Sequence, residues 1–352
     1  MNLYKDIRLT IIFFTLTVLL IFSIIYTISI GSTPISSKTV FGILVDKIFL
    51  DGKGLKEGIW AMPDFQIVWN IRLPRVLFGL ICGMGLSVCG VVMQSLVMNS
   101  IADPYILGIS SGASAGASFA LLIPLPFFQG QYQTSIIAMV GAFIASFMVY
   151  YMAKITGGGR IHPVSLLLSG TSINALMSAI TNFLIFIAKS PESISAVYNW
   201  QMGTVASASW NNIRLPFFTV FMGLMIFIVF SPKLNMLMLG DEYAYAMGVN
   251  VKRFRFIMFF VCSLIVASLV SVTGIIGFVG LVIPHIVRLF VKSSNNRVVI
   301  PLSAILGSIY LIWSDALARS LFSIAELPIG IITAFIGAPC LLYLMIKRKF
   351  GG

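Results

Sequence analysis

Charge is scarce in this 352-residue chain: 10% of its residues are charged, 11 of them acidic, and there are two histidines. His162 and His285 lie far apart and belong to no histidine-rich tract. Cys82, Cys89, Cys262 and Cys340 all fall in apolar stretches without CxxC spacing, which excludes a disulfide framework and a cysteine metal knuckle. No GxxxxGK occurs, so the chain has no phosphate-cradling loop of its own, and ATP-driven work would fall to a separate subunit. HExxH and a paired intramembrane acid are both missing, which argues against an intramembrane protease. A proton-coupled carrier usually buries carboxylates, and here acids are nearly absent from the apolar stretches.

What the chain does have is apolar surface. Hydrophobic residues make up 59% of it, and the mean hydropathy is +1.01. That composition defines an all-α polytopic membrane protein. Apolar runs long enough to span lie at about 9–30, 74–97, 105–126, 133–154, 164–188, 212–231, 254–274, 276–291, 298–317 and 328–346. They predict about ten spans in a single transmembrane domain over 1–352. The first run is too long for a secretory h-region and reads as a retained span. The longest polar region, 31–73, holds "TVFGILVDKIFL", an amphipathic stretch expected to lie on the surface.

The net charge of +12 would suggest nucleic acid in a soluble protein; here basic cytoplasmic loops explain it, and no nucleic-acid partner is expected. With both termini inside, the inner loops hold fourteen of the 23 basic residues and four of the 11 acids. That is the positive-inside bias. Arg72 and Arg75 then lie outside, against the trend, in "IRLPRVLFGL". Pro74 suits the first turn of a helix and marks a helix start there.

Small and polar residues recur at helical spacing. Gly170, Asn174, Ser178 and Asn182 form one stripe in the fifth span, with two readings open: glue between helices or the wall of a water-filled path. Gly79, Gly83, Ser87 and Gly90, ending at Gln94, and Gly108, Gly112 and Gly116 read as faces for close helix packing. In 232–253, "PKLNMLMLGDEYAYAMGVNVKR", Gly240 and Gly248 punctuate two short helices. Leu234, Met236, Met238 and Met247 are expected to be exposed there, which points to a protein partner.

Four stretches taken together resemble the FecCD-type permeases of ATP-binding-cassette importers: 72–116, 239–251 ("LGDEYAYAMGVNV"), 274–290 ("GIIGFVGLVIPHIVRLF") and 315–345. The resemblance implies a type II permease fold of ten spans with an inverted repeat. It implies a second permease subunit, identical or paralogous, two ATPase subunits inside and a substrate-binding protein outside. No cofactor is expected on this chain, with ATP-Mg on the ATPases, and no catalytic or metal-ligating residue. The place implied is a bacterial cell membrane.

By resemblance, 232–253 is the segment seated on the ATPase, with Gly240, Asp241, Glu242, Ala244, Met247 and Gly248 as its contacts. Arg72, Arg75 and Arg319 stand where the family docks its binding protein; snorkelling, or pairing with Asp64 or Glu326, are the alternatives. Asn99 and Ile101, in "MNSIADP", match the inner gate, and Gln94, Asn174, Ser178 and Asn182 are the remaining gate or pathway candidates. The expected cargo is a ferric siderophore, with haem or cobalamin as the alternative and a secondary transporter as the reading from another class.

Overall fold

The computed structural model describes residues 3–31, 33–100, 102–123, 132–158, 162–321 and 326–350. Helices α1 (Leu3–Ser29), α2 (Ser37–Phe49), α3 (Lys53–Lys56) and α4 (Met62–Gln66) lead into a π turn, Ile67–Arg72, and α5 (Leu73–Leu96). A 3-10 turn, Pro104–Leu107, precedes α6 (Ile109–Leu122), α7 (Gln133–Thr156), α8 (Pro163–Phe186) and α9 (Pro191–Gln201). Then follow α10 (Arg214–Met238), α11 (Asp241–Ala246), α12 (Val251–Thr273), α13 (Val279–Val291), α14 (Asn296–Ser320) and α15 (Ile329–Phe350). Among the described residues seven helices are long and apolar enough to cross a membrane, and α6, α13 and α15 contribute shorter apolar segments. No strand occurs among the described residues.

Buried on nearly every side, α5 is the axis of the bundle. Its small residues allow that. A Cβ at Gly83 would land inside the carbonyl of Gly307 on α14, and one at Gly90 inside the carbonyl of Gly280 on α13. Where the backbones meet, serines bond across: Ser87 Oγ donates to the Ser303 carbonyl at 2.7 Å and Ser308 Oγ to the Leu80 carbonyl at 2.9 Å. Close approach and hydrogen bonding do this work because lipid provides no hydrophobic drive between helices. Gly112 and Gly116 likewise let α6 press on α7, at Gly141 and Ile137. We expect Gly90→Val to cost at least the ~1–3 kcal/mol of an overpacked core. A melting curve in detergent should show it as a lost or strongly lowered transition, with Gly277→Ala, where a Cβ meets nothing, as the neutral control.

Two helix boundaries differ from the sequence expectation, both at proline. Pro74 does not start a helix: Met62–Leu96 runs on as one helical unit. The π turn, closed by Leu73 N–H on the Val68 carbonyl, re-spaces the ladder just ahead of a residue with no N–H to place in it. Pro232 does not end the sixth predicted span either, since α10 continues to Met238. Ser231 Oγ donates at 2.7 Å to the Ile228 carbonyl, the group that Pro232 cannot serve. The connection therefore shrinks to 239–250 and holds one short helix instead of two. The surface stretch forms α2, and α9 is a helix that the hydropathy pattern did not mark.

Candidate functional site

Two ends of the bundle carry the chemistry: one where α1 and α14 finish, and the opposite one where α11 sits. At the first, three guanidiniums converge. Arg72 Nη1 donates to the carbonyls of Ile28 and Ser29, each at 3.1 Å, and Nη2 to Thr33 at 2.6 Å. Arg319 Nη2 donates to Thr27 at 3.0 Å and Nη1 to Ile30 at 2.5 Å. The carbonyls of Thr27, Ile28 and Ser29 are among those that the C-terminus of α1 leaves unpaired, at the negative end of its dipole, and those of Ile30 and Thr33 follow just beyond it. Two arginines distant in sequence thus cap α1. Gly31 makes room, since a Cβ there would press on the Arg72 guanidinium.

Arg75 faces the other way. Its Nε and Nη2 straddle Asp315 at 3.0 and 2.8 Å, and its Nη1 meets Glu326 at 2.8 Å. Asp315 also accepts from Arg319 Nε at 3.0 Å, so one carboxylate, 2% exposed, joins both arginines. Glu326, by contrast, is 52% exposed. The sequence reading set Arg72, Arg75 and Arg319 on an outward rim with charges to offer; in the structure they are 5%, 7% and 7% exposed and have internal partners. The Glu326 pairing considered for Arg75 is present. From sequence Asp315 stands out only as an acid near the outer end of its span, with no partner assigned, and Gly31 does not stand out; the Asp315–Arg319 spacing of four on one helix is a usable signal.

At the opposite end, Gly240 takes φ 115°, ψ 154°, a conformation reserved for glycine, and turns the chain from α10 into α11. Asp241 and Glu242 occupy the first turn, where the helix dipole favours acids. Arg255 on α12 forks onto Asp241, Nη1 to Oδ2 at 2.7 Å and Nη2 to Oδ1 at 2.8 Å. Ala244 is fully buried beneath α11, and Gly248, at φ 79°, closes the turn towards α12. Leu239, Tyr243, Tyr245 and Met247 stand exposed around this anchored helix. Leu234 does not: the extension of α10 carries it and Leu237 into the core, and leaves Met236 and Met238 half-buried.

An amide relay joins this end to the axis. Asn235 on α10 donates to Asn295 Oδ1 at 2.8 Å and accepts from Asn296 N–H at 2.8 Å. The fully buried Asn296 side chain donates to Ser95 Oγ on α5 at 3.1 Å. Nearby, Gln94 is a buried bridge: it donates to the Leu281 carbonyl at 3.3 Å and accepts from Arg288. Asn99 shapes a tight turn, its N–H bonded to the Gln94 carbonyl and its own carbonyl to Ala102 N–H, both at 3.1 Å. Ile101 lies outside the described residues. Asp103 caps the following turn through Tyr105 N–H at 2.9 Å, and burial pushes its carboxyl up to about 6.

The α8 stripe divides. Asn174 accepts from Ser111 Oγ on α6 at 2.6 Å, which makes it interhelical glue. Ser178 and Asn182 face outward with Thr171 and Ser172. Among the described residues no three His, Cys, Asp or Glu side chains are placed to hold a metal.

The fold is thus a polytopic helical bundle with an anchored, apolar-surfaced short helix at one end. Residues 19–347 match the FecCD transport family, and the chain belongs to that family. It is 39% identical over 80% of its length, and 74% of the relative's, to the cobalamin import system permease protein of Halobacterium salinarum. It is 34% identical to the Fe(3+)-citrate import system permease protein of Bacillus subtilis, over 89% of this chain and 96% of the other. A solved structure described as an inward-facing, metal-chelate type ABC transporter superposes with a TM-score of 0.81 at 29% identity, covering 96% of this chain and 99% of that one. The chain is thus an ABC importer permease, a multi-pass membrane protein of a family that works with ATPase and binding-protein partners.

Proposed function

We propose that this permease admits a ferric siderophore, delivered by a binding protein and driven by two separate ATPases that carry the ATP-Mg. The observation that carries the ATPase-driven part of the reading is α11: an apolar surface of Leu239, Tyr243, Tyr245 and Met247 held by the Arg255–Asp241 fork. Water does not favour such a surface, and an ATPase groove would cover it. In this reading the α11 end and both termini are cytoplasmic, in keeping with the basic loops. The chain itself binds no cofactor and performs no catalysis. Gly240, Asp241, Glu242, Ala244, Met247 and Gly248 form or support the contact.

A second permease copy or paralogue would cover the outward face of α8, because Ser178 and Asn182 are costly against lipid. The path would run between the two subunits, and the turn at Asn99 would flank its inner mouth. Closure of the ATPases moves α11; α10 and the Asn235–Asn296–Ser95 relay carry the shift to α14 and α5 as a rigid-body change. The arginine end meets the binding protein. On this side of the membrane, in this reading, nine basic residues stand against seven acidic ones, a net charge of +2, which favours an acidic docking face.

The siderophore reading draws on the ferric-citrate relative; the cobalamin relative, at 39% identity, favours cobalamin as the second reading. The test is reconstitution in vesicles with the cognate ATPase and a binding protein loaded with ferric siderophore, haem or cobalamin. ATP-dependent uptake of the siderophore is expected. Uptake of cobalamin alone would select the second reading. Uptake without ATPase that follows a proton gradient would overturn both.

A further inference from the structure

A groove of ≈ 280 Å³ opens between α1, α13 and α14, lined by Ile12, Leu16, Val287, Phe290, Leu302 and Leu306, with Thr15 as its polar member. It begins at the end of the bundle that carries α11. From Arg8 to Leu16 along α1 is ~12 Å, and from Arg297 to Leu306 along α14 is ~14 Å, at 1.5 Å per residue. That is close to the ~15 Å of hydrocarbon in one leaflet. Further along, the seam between α1 and α14 is shut: Trp313 Nε1 donates to Ser23 Oγ at 2.9 Å, and its ring stacks on Tyr26 at 5.6 Å. A membrane-crossing helix would need the groove to continue, whereas a lipid tail needs only one leaflet.

The mouth is basic. Arg8 lies across it, with Nη2 on the Phe290 carbonyl at 3.2 Å, and Lys292 and Arg297 are exposed beside the end of α13 and the start of α14. Among the described residues no carboxylate pairs with any of the three. An apolar slot one leaflet deep under three cations that pair with no carboxylate among the described residues has the shape and charge of an acidic lipid's complement. We propose that this groove binds one anionic phospholipid, with an acyl chain against Leu16 and Leu306 and the phosphate at Arg8, Lys292 and Arg297. The lipid would fill the lower seam of a first helix that is otherwise fastened at its far end.

Native mass spectrometry of the full-length protein, stripped of lipid and titrated with phosphatidylglycerol or phosphatidylcholine, tests this. One phosphatidylglycerol per chain is expected to be retained in preference to phosphatidylcholine. A basic residue near an anionic surface is worth about fivefold, so Arg8→Gln with Lys292→Gln and Arg297→Gln should weaken retention on the order of 100-fold. Leu306→Trp, which fills the slot and keeps the charges, should lose the lipid as well. Equal retention of the two lipids by the unaltered protein would overturn the proposal, whatever the variants do. So would a Leu306→Trp protein that keeps its lipid and instead fails to assemble with another subunit.

Discussion

Asp315→Ala is expected to remove most of the folded permease, while Glu326→Ala should leave it nearly intact. The two carboxylates bind the same arginine at the same 2.8 Å, and burial separates them: 2% exposed against 52%. Breaking a buried pair by deleting one partner costs about 3–5 kcal/mol, because the surviving charge has no solvent. Here two guanidiniums, Arg75 and Arg319, survive together. An exposed pair contributes only ~0–1 kcal/mol. Size-exclusion yield and melting temperature in detergent read the difference. If these arginines instead served as free docking charges, Asp315→Ala would keep its yield and bind an acidic partner more tightly. That outcome would refute the structural role.

Arg255→Ala should separate ATP hydrolysis from uptake. The fork on Asp241 is a bidentate charge-assisted contact with one partner 7% and the other 33% exposed. Such bonds are worth about 1.5–3 kcal/mol, so the anchored pose of α11 loses roughly 10- to 100-fold in population. The apolar knobs of α11 remain, so the ATPase still assembles, but its stroke is spent on a loose helix. Uptake falls by that factor and hydrolysis persists. Reversing the pair, Arg255→Asp with Asp241→Arg, should recover part of the uptake. If uptake is normal in the single variant, α11 is held by its packing alone.

Much of the architecture was legible in hydropathy, since helices occupy each of the ten apolar runs. The misses were at Pro74 and Pro232, which local rules treat as boundaries. Both are carried inside helices by a neighbour's adjustment, a π turn in one case and the Ser231 hydroxyl in the other. That second miss also misplaced Leu234, because a loop was assumed where α10 continues. Glycine faces were readable because the reason for them, backbone approach, is local. Asn174 was readable as one of two options, and only the position of Ser111 decides for glue. The arginines were singled out correctly as unusual, but their partners were invisible. Carbonyls carry no sequence signature, and those of Ile28 and Ile30 are 44 and 289 positions from the arginines that hold them.

Capping of α1 from such a distance constrains how the chain is made. Synthesis proceeds from the N-terminus, so α1 is membrane-inserted long before Arg319, nearly 300 residues later, leaves the ribosome. In that interval its last carbonyls depend on water at the membrane surface or on Arg72. The first helix is therefore completed among the last, and a chain truncated before α14 would carry an α1 with half its cap. Quality control that senses unfinished helix ends would find its cue there.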